Sequence, residues 1–211
     1  MTHTDARAAV DLVLDQSVTL LATSGGAAVL PGPQVDAWSL PAEAKASLAR
    51  YGLPGPRDDD LSRFLASFQS GRRPEVADGT EYYRLARFGV SRVCALPSGS
   101  VTAVPSSRDV HPQLEPLYPS GLLPSLVSTS VPQFVELAWR WGALVPILAE
   151  EQARVSVADD RAWREGRGAD LPDPFDAYED LCRYVLERLR RIDPQVDPAS
   201  GFWADLLLDV W

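Results

Sequence analysis

Between residues 134 and 148 the apolar side chains fall at three- and four-residue steps: Phe134, Leu137, Ala138, Trp141, Leu144, Val145 and Leu148. That spacing lines one face of a helix. Ser130 and Gln133 stand at the spacing of a capping box, in which each side chain satisfies an orphan N–H at the helix start. The stretch VSTSVPQFVELAWRW (residues 127–141) is therefore read as a short polar turn that opens a capped amphipathic helix. Its apolar face carries no chemistry and is assigned to the core.

The same patterning predicts the other elements. Residues 5–16 form a helix with Ala9, Leu12 and Val13 on one face. Residues 18–22 read as a strand closed by Ser24, Gly25 and Gly26, and a second apolar run, 27–30, ends at Pro31-Gly32-Pro33. Residues 41–51 form a helix with Pro41 in its first turn and Gly52 as its stop, and Leu53-Pro54 makes an extended exit. Strands are expected at 64–68 and 82–88, and a hairpin at 90–96 and 101–104 around Pro97-Ser98-Gly99-Ser100. Short turns between neighbours argue for an antiparallel sheet. Residues 105–126, rich in proline and without periodicity, are read as a surface loop. A helix starts at Asp173-Pro174 and runs to 191, with acids in its first turns and arginines in its last, as the helix dipole prefers. The final GFWADLLLDVW is a short helix that must dock on the body. The result is a single α+β domain over residues 1–211, sheet-rich over 17–126 and helical over 130–211: a mainly antiparallel sheet packed against helices.

Composition narrows the class. The chain of 211 residues, 45% hydrophobic and 23% charged, is that of an ordinary soluble globule. No apolar run is long enough to span a bilayer, and the N-terminus lacks the basic and apolar regions of a secretory signal, so the cytoplasm is the expected location. Cys94 and Cys182 are then reduced packing residues, one in a strand and one in a helix. Lys45 is the single lysine, which together with abundant Ala, Pro and Gly suggests a GC-rich bacterial genome. The net charge of −9 is uneven. Residues 1–149 carry 14 acidic and 12 basic side chains, and residues 150–211 carry 15 and 8, balances of −2 and −7. Such a field repels phosphate backbones and argues against nucleic acid as a direct ligand. A basic protein fits it better, since opposite fields speed encounter.

The inventory for catalysis is thin. His3 and His111 have no partner at metal-ligand spacing. There is no nucleophile elbow, no metalloprotease helix motif, no phosphate-binding glycine loop and no C-x-x-C. No catalytic residue, metal site or cofactor is expected. Asp58, Asp59 and Asp60 could hold a hard cation, but they lack calcium-loop spacing, and turn and cap duty is favoured. Asp159 and Asp160, near Arg161, Arg164 and Arg167, read as an exposed helical face with intrahelical pairing. Both acidic clusters are candidate contact points for a basic partner. Trp139 and Trp141 flank Arg140, yet two-residue spacing on a helix puts them on different faces, so they form no stacking platform. Trp139 is expected to pack under a loop.

The order of elements resembles the SUKH superfamily of bacterial immunity proteins, especially its fourth, largely actinobacterial subfamily. The matching pieces are LARYGLP at 48–54, YYRLARFG at 82–89, VCALPSGSVTAV at 93–104, VSTSVPQFVELAWRW, and Phe202-Trp203 in the closing helix. The resemblance spans residues 38–211. In the family the turn before the long helix often reads Asn-x-Ser followed by Phe. Ser128-Thr129-Ser130 occupies it here, so the side-chain bonds of an Asn are expected to be lost. The resemblance implies a cytoplasmic antidote, without enzymatic activity, that binds a cognate toxin of a polymorphic toxin system, commonly a nuclease or deaminase. Neutralisation would be by stoichiometric occlusion. Two other classes stay open: a general interaction or scaffold module, and a small-molecule enzyme or sensor. A cluster of Tyr82, Tyr83, Arg84 and His111 in one cleft would favour the last.

Overall fold

The computed structural model describes residues 3–56, 64–69, 73–77, 79–89, 91–107, 113, 116, 122–166 and 174–208. In chain order these form α1 (His3–Asp15), α2 (Val18–Ser24), β1 (Ala28–Val29), a 3-10 turn (Pro33–Ala37), α3 (Ala42–Tyr51), β2 (Leu53–Pro54) and β3 (Phe64–Ala66). There follow β4 (Glu75–Ala77), β5 (Thr80–Phe88), β6 (Ser91–Ala95), β7 (Val101–Pro105), β8 (Ser125–Ser128), α4 (Val131–Arg164), α5 (Pro174–Leu189) and α6 (Phe202–Leu208). The α+β class, the antiparallel sheet and the helical rear are as expected from the sequence.

The main sheet has the order β3-β5-β6-β7-β8, with every pairing antiparallel, and β4 pairs with the first residues of β5. Tyr83, Leu85, Ala86, Val93, Ala95, Val101 and Ala103 point to one face and join the main core. Onto that core lies α4. Its side chains Phe134, Leu137, Ala138, Trp141, Leu144, Val145 and Leu148 are all fully buried, so the three-four stripe read from the sequence is the core face. Helices α1, α2, α3 and α5 all contact α4, which makes it the hub. Pro146 inside α4 lacks a backbone donor, yet the helix continues through it, held by buried Leu144, Val145 and Leu148.

Charged side chains join the outer helices to this hub and to each other. Arg140 is 6% exposed and donates from Nη1 to the carbonyls of Val13 and Leu14 at 3.1 and 2.6 Å. Those carbonyls lie in the last turn of α1, where Val13 also accepts from Gln16 N at 3.2 Å, so a buried cation there adds a donor at the helix end and suits the helix dipole. Glu136 holds the same guanidinium in place from one turn earlier, at 2.5 Å. Arg188 of α5 bonds Asp11 and Asp15 of α1 together with the Tyr184 hydroxyl.

Several expectations are revised. Residues 18–22 are helical, in α2, not a strand. Ser17 caps them by accepting from Leu20 N at 3.3 Å, and the hydroxyls of Thr23 and Ser24 bond back to carbonyls one turn earlier. Only Leu21 of this run is buried, so the segment has no alternating face to give a sheet. The stretch 105–126 is not all loop: β7 reaches Pro105, and Ser125 starts β8, so Val127 belongs to a strand and not to the turn before α4. The capping box is half formed. Ser130 Oγ accepts from Gln133 N at 3.3 Å, but the Gln133 carbonyl oxygen takes the Ser130 hydroxyl, and its amide donates to the Ile192 carbonyl at 2.9 Å.

The Ser128-Thr129-Ser130 turn is held from elsewhere in the chain. Asp193, fully buried just after α5, accepts from Ser128 Oγ at 2.6 Å and Thr129 N at 2.7 Å through Oδ2. Its Oδ1 accepts from Thr129 Oγ1 at 3.0 Å and Gln195 N at 3.1 Å. One carboxylate thus joins the last strand, the entry to α4 and the exit from α5. Replacing Asp193 by Ala strands several donors in the interior and is expected to cost on the order of 3 kcal/mol, with Asn at about half of that because it keeps an acceptor. Urea denaturation checks this: a midpoint shift worth less than about 1 kcal/mol in D193A would contradict the clamp.

Candidate functional site

The outer face of the sheet differs from the inner one. Residues directly opposite on antiparallel strands share a face, so the register defines it. One row reads Leu65, Arg87, Arg92 and Val104 across β3, β5, β6 and β7, and the next reads Arg84, Cys94, Thr102 and Leu126 across β5 to β8. Strict alternation would send Arg84 and Arg87 to opposite faces. A β-bulge between Arg84 and Ala86 changes that. It turns both Leu85 and Ala86 into the core and leaves Arg84, Arg87 and Arg92 together outside.

The bulge is held from the neighbouring edge. Ser67 N and Gln69 N donate to the carbonyls of Leu85 and Arg84 at 3.0 and 2.9 Å, and Gln69 Oε1 accepts from Arg84 N at 3.2 Å. Among the described residues, Glu75 is the carboxylate that reaches this cluster, at 2.5 Å from Arg92 and 3.9 Å from Arg84. The Nε groups of Arg84 and Arg92 are buried with no acceptor. Arg87 is exposed, and among the described residues it makes one long bond, 3.4 Å, to the Gly89 carbonyl. Leu65 and Leu126 are exposed on either side.

Beneath the arginines Tyr82, Cys94 and Val104 form a small buried apolar cluster with Leu96 beside it. Tyr83 faces the other way, stacked on Trp38 at 5.1 Å, with its hydroxyl accepting from Ser39 N at 3.1 Å. The cluster that would favour a small-molecule site is thus split by the sheet: Tyr82 and Arg84 are outside, Tyr83 is inside, and His111 lies outside the described residues.

A second feature is a cleft of about 50 Å³ where α4 meets the chain around α2, β2 and β3, walled by Gly25, Pro54, Phe64, Trp139, Trp141 and Gly142. Trp139 does pack under the turn after α2. A side chain at Gly25 would start 3.2 Å from its ring and 2.5 Å from the Leu21 carbonyl, so only glycine fits there. Although Trp139 and Trp141 leave the helix in different directions, both line this cleft, because α2 and β2 wrap around that side of α4. Both indoles are buried, so neither is a stacking surface.

The acidic residues singled out in the sequence fall in two places. Asp58, Asp59 and Asp60 lie outside the described residues. Asp159 and Asp160 sit on the last turns of α4, beyond Val155, where no residue is buried. Asp160 pairs with Arg164 at 3.3 Å, and Val157 and Trp163 are exposed nearby. The expected intrahelical pairing is present, and it offsets part of the acidity there. Among the described residues no three His, Cys, Asp or Glu side chains are grouped to hold a metal ion, and no helix is long and apolar enough to cross a membrane.

Both thiols are buried and free. Burial pushes Cys94 up to about 12, helped by Glu75 and opposed by Arg92 and Arg84. Burial likewise pushes Cys182 up to about 11, against a hydrogen bond from Tyr178. Both groups therefore hold their protons more tightly when folded than the ordinary value of 9.0. Their contribution to stability is complete below pH 9.0 and declines as pH rises toward 11 and 12. At pH about 8 neither should react with a disulfide reagent in the native state, and both should react in denaturant. Fast native labelling of either thiol would contradict this assignment.

Neither the curated proteins nor the solved structures contain a match to the chain. Residues 13–209 match the SUKH-4 immunity protein family, and the chain belongs to that family.

Proposed function

We infer that this protein neutralises a cognate toxin domain by binding it one-to-one and occluding its working surface, without turnover. The family match over residues 13–209 carries the reading. A nuclease or deaminase is the proposed toxin class, and the cytoplasm of the producing cell is the proposed compartment. The acidic balance of residues 150–211 supports a toxin that is basic overall, because opposite fields raise the encounter rate. Asp159 and Asp160, together with Asp58, Asp59 and Asp60, are the proposed acidic contacts for it.

The test is co-expression with the toxin domain encoded beside the gene, followed by purification and an activity titration. A stoichiometric inhibitor lowers toxin activity linearly to zero at one equivalent. Loss of activity at a small fraction of an equivalent would instead mean that the toxin is chemically modified. A toxin that stays active with this protein in excess would remove the reading.

A further inference from the structure

We propose that the outer face of the sheet, centred on Arg84, Arg87 and Arg92, is the surface on which the toxin docks, and that the toxin meets it with clustered Asp or Glu carboxylates beside apolar side chains. The proposal rests on the immunity reading and adds to it where contact is made and with what chemistry. Three observations converge on it.

The first is the crowding of like charge. Arg87 and Arg92 are direct cross-strand partners, and the bulge brings Arg84 to the same face. Opposed like charges destabilise a sheet, and an ordinary alternation of β5 would have separated two of the three. The second is the shortage of acceptors. Glu75 is shared between Arg92 and Arg84, and Arg87 has no carboxylate among the described residues. On a chain of net charge −9 this is a local reversal of sign: Arg73, Arg84, Arg87 and Arg92 stand against Glu75 and Glu81 over the described part of residues 64–107. The third is the setting. Exposed Leu65 and Leu126 flank the arginines in the two cross-strand rows. Arginine among apolar side chains is the composition of protein interfaces. A nucleic acid would answer the charge but not the leucines, and the acidic field of the whole chain repels it. Field and contact are separate demands: the field sets how often partners meet, and close pairs set how long they stay.

The test uses the full chain carrying Arg87→Glu, with Arg87→Ala as the milder variant. Arg87 is exposed, so both should melt close to the parent. Binding to the cognate toxin domain is measured at low and at physiological salt. R87E is expected to weaken binding about tenfold or more, chiefly through faster dissociation, whereas Asp160→Arg should alter mainly the association rate. Full-strength binding by R87E overturns the docking surface and leaves the immunity reading intact. If the parent chain binds no toxin domain, that reading fails, and the surface is decided by amide-shift mapping with a short peptide rich in glutamate and leucine. Shifts at Leu65, Arg84, Arg87, Arg92 and Leu126 that vanish in R87E sustain it. No shifts, or tighter binding of an oligonucleotide of equal charge to the same residues, overturn it.

Discussion

The Asp193 carboxylate fixes the geometry on which the rest of the structure depends. It takes four hydrogen bonds from Ser128, Thr129 and Gln195 while fully buried. A carboxylate removed from water is tolerated only when its oxygens are this well supplied. The bonds are long-range in sequence, so they constrain topology: the sheet's last strand must end where α5 ends, and α4 must start between them. Gln133 adds a second tie from the first turn of α4 to the Ile192 carbonyl, and Trp203 donates to the Val127 carbonyl at 2.9 Å to seat α6 at the same junction. With its N-terminus anchored, α4 presents one face to the sheet and leaves its flanks to α1, α2, α3 and α5.

What the sequence revealed depended on how local the cause was. The stripe of α4, the positive φ of 59° at Gly52 that ends α3, the hairpin of β6 and β7 and the acid-first, arginine-last helix α5 all follow from neighbours a few residues apart. They were legible. Residues 18–22 read as a strand because Val, Thr and Leu suit a strand as well as a helix. The deciding factor was their contact with α4 and a serine cap, and only the cap is written locally. Strand β8 was hidden for the opposite reason. Four residues beside a proline-rich stretch carry no period of their own and become a strand only when β7 supplies partners. What holds the Ser128-Thr129-Ser130 turn was hidden, because the carboxylate that bonds it stands 65 positions away from Ser128.

The candidate site was less legible than the fold. Asp159 and Asp160 stand out by charge alone, and the pairing of Asp160 with Arg164 follows from helical spacing. The arginine face could not. Its members occur in a strand where alternation separates them, and a bulge has no reliable signature without a glycine or a partner strand in view. The one hint was that Leu85 and Ala86 are adjacent apolar residues between two arginines, which a strictly two-faced strand would not place together.

The bulge also bears on why such a face exists. Had β5 kept its register, Arg87 would have pointed into the core, where an unpaired guanidinium is untenable. The bulge avoids that burial, but it does so by setting Arg87 against Arg92, with Glu75 bonded to the far side of the pair. A neutral residue at position 87 would have relieved the same problem without the repulsion. Selection for stability alone therefore favours a different residue there. An arginine in a position that the fold must bend to accommodate fits the proposed contact outside the chain, and the exposed leucines on both sides give that contact an apolar component.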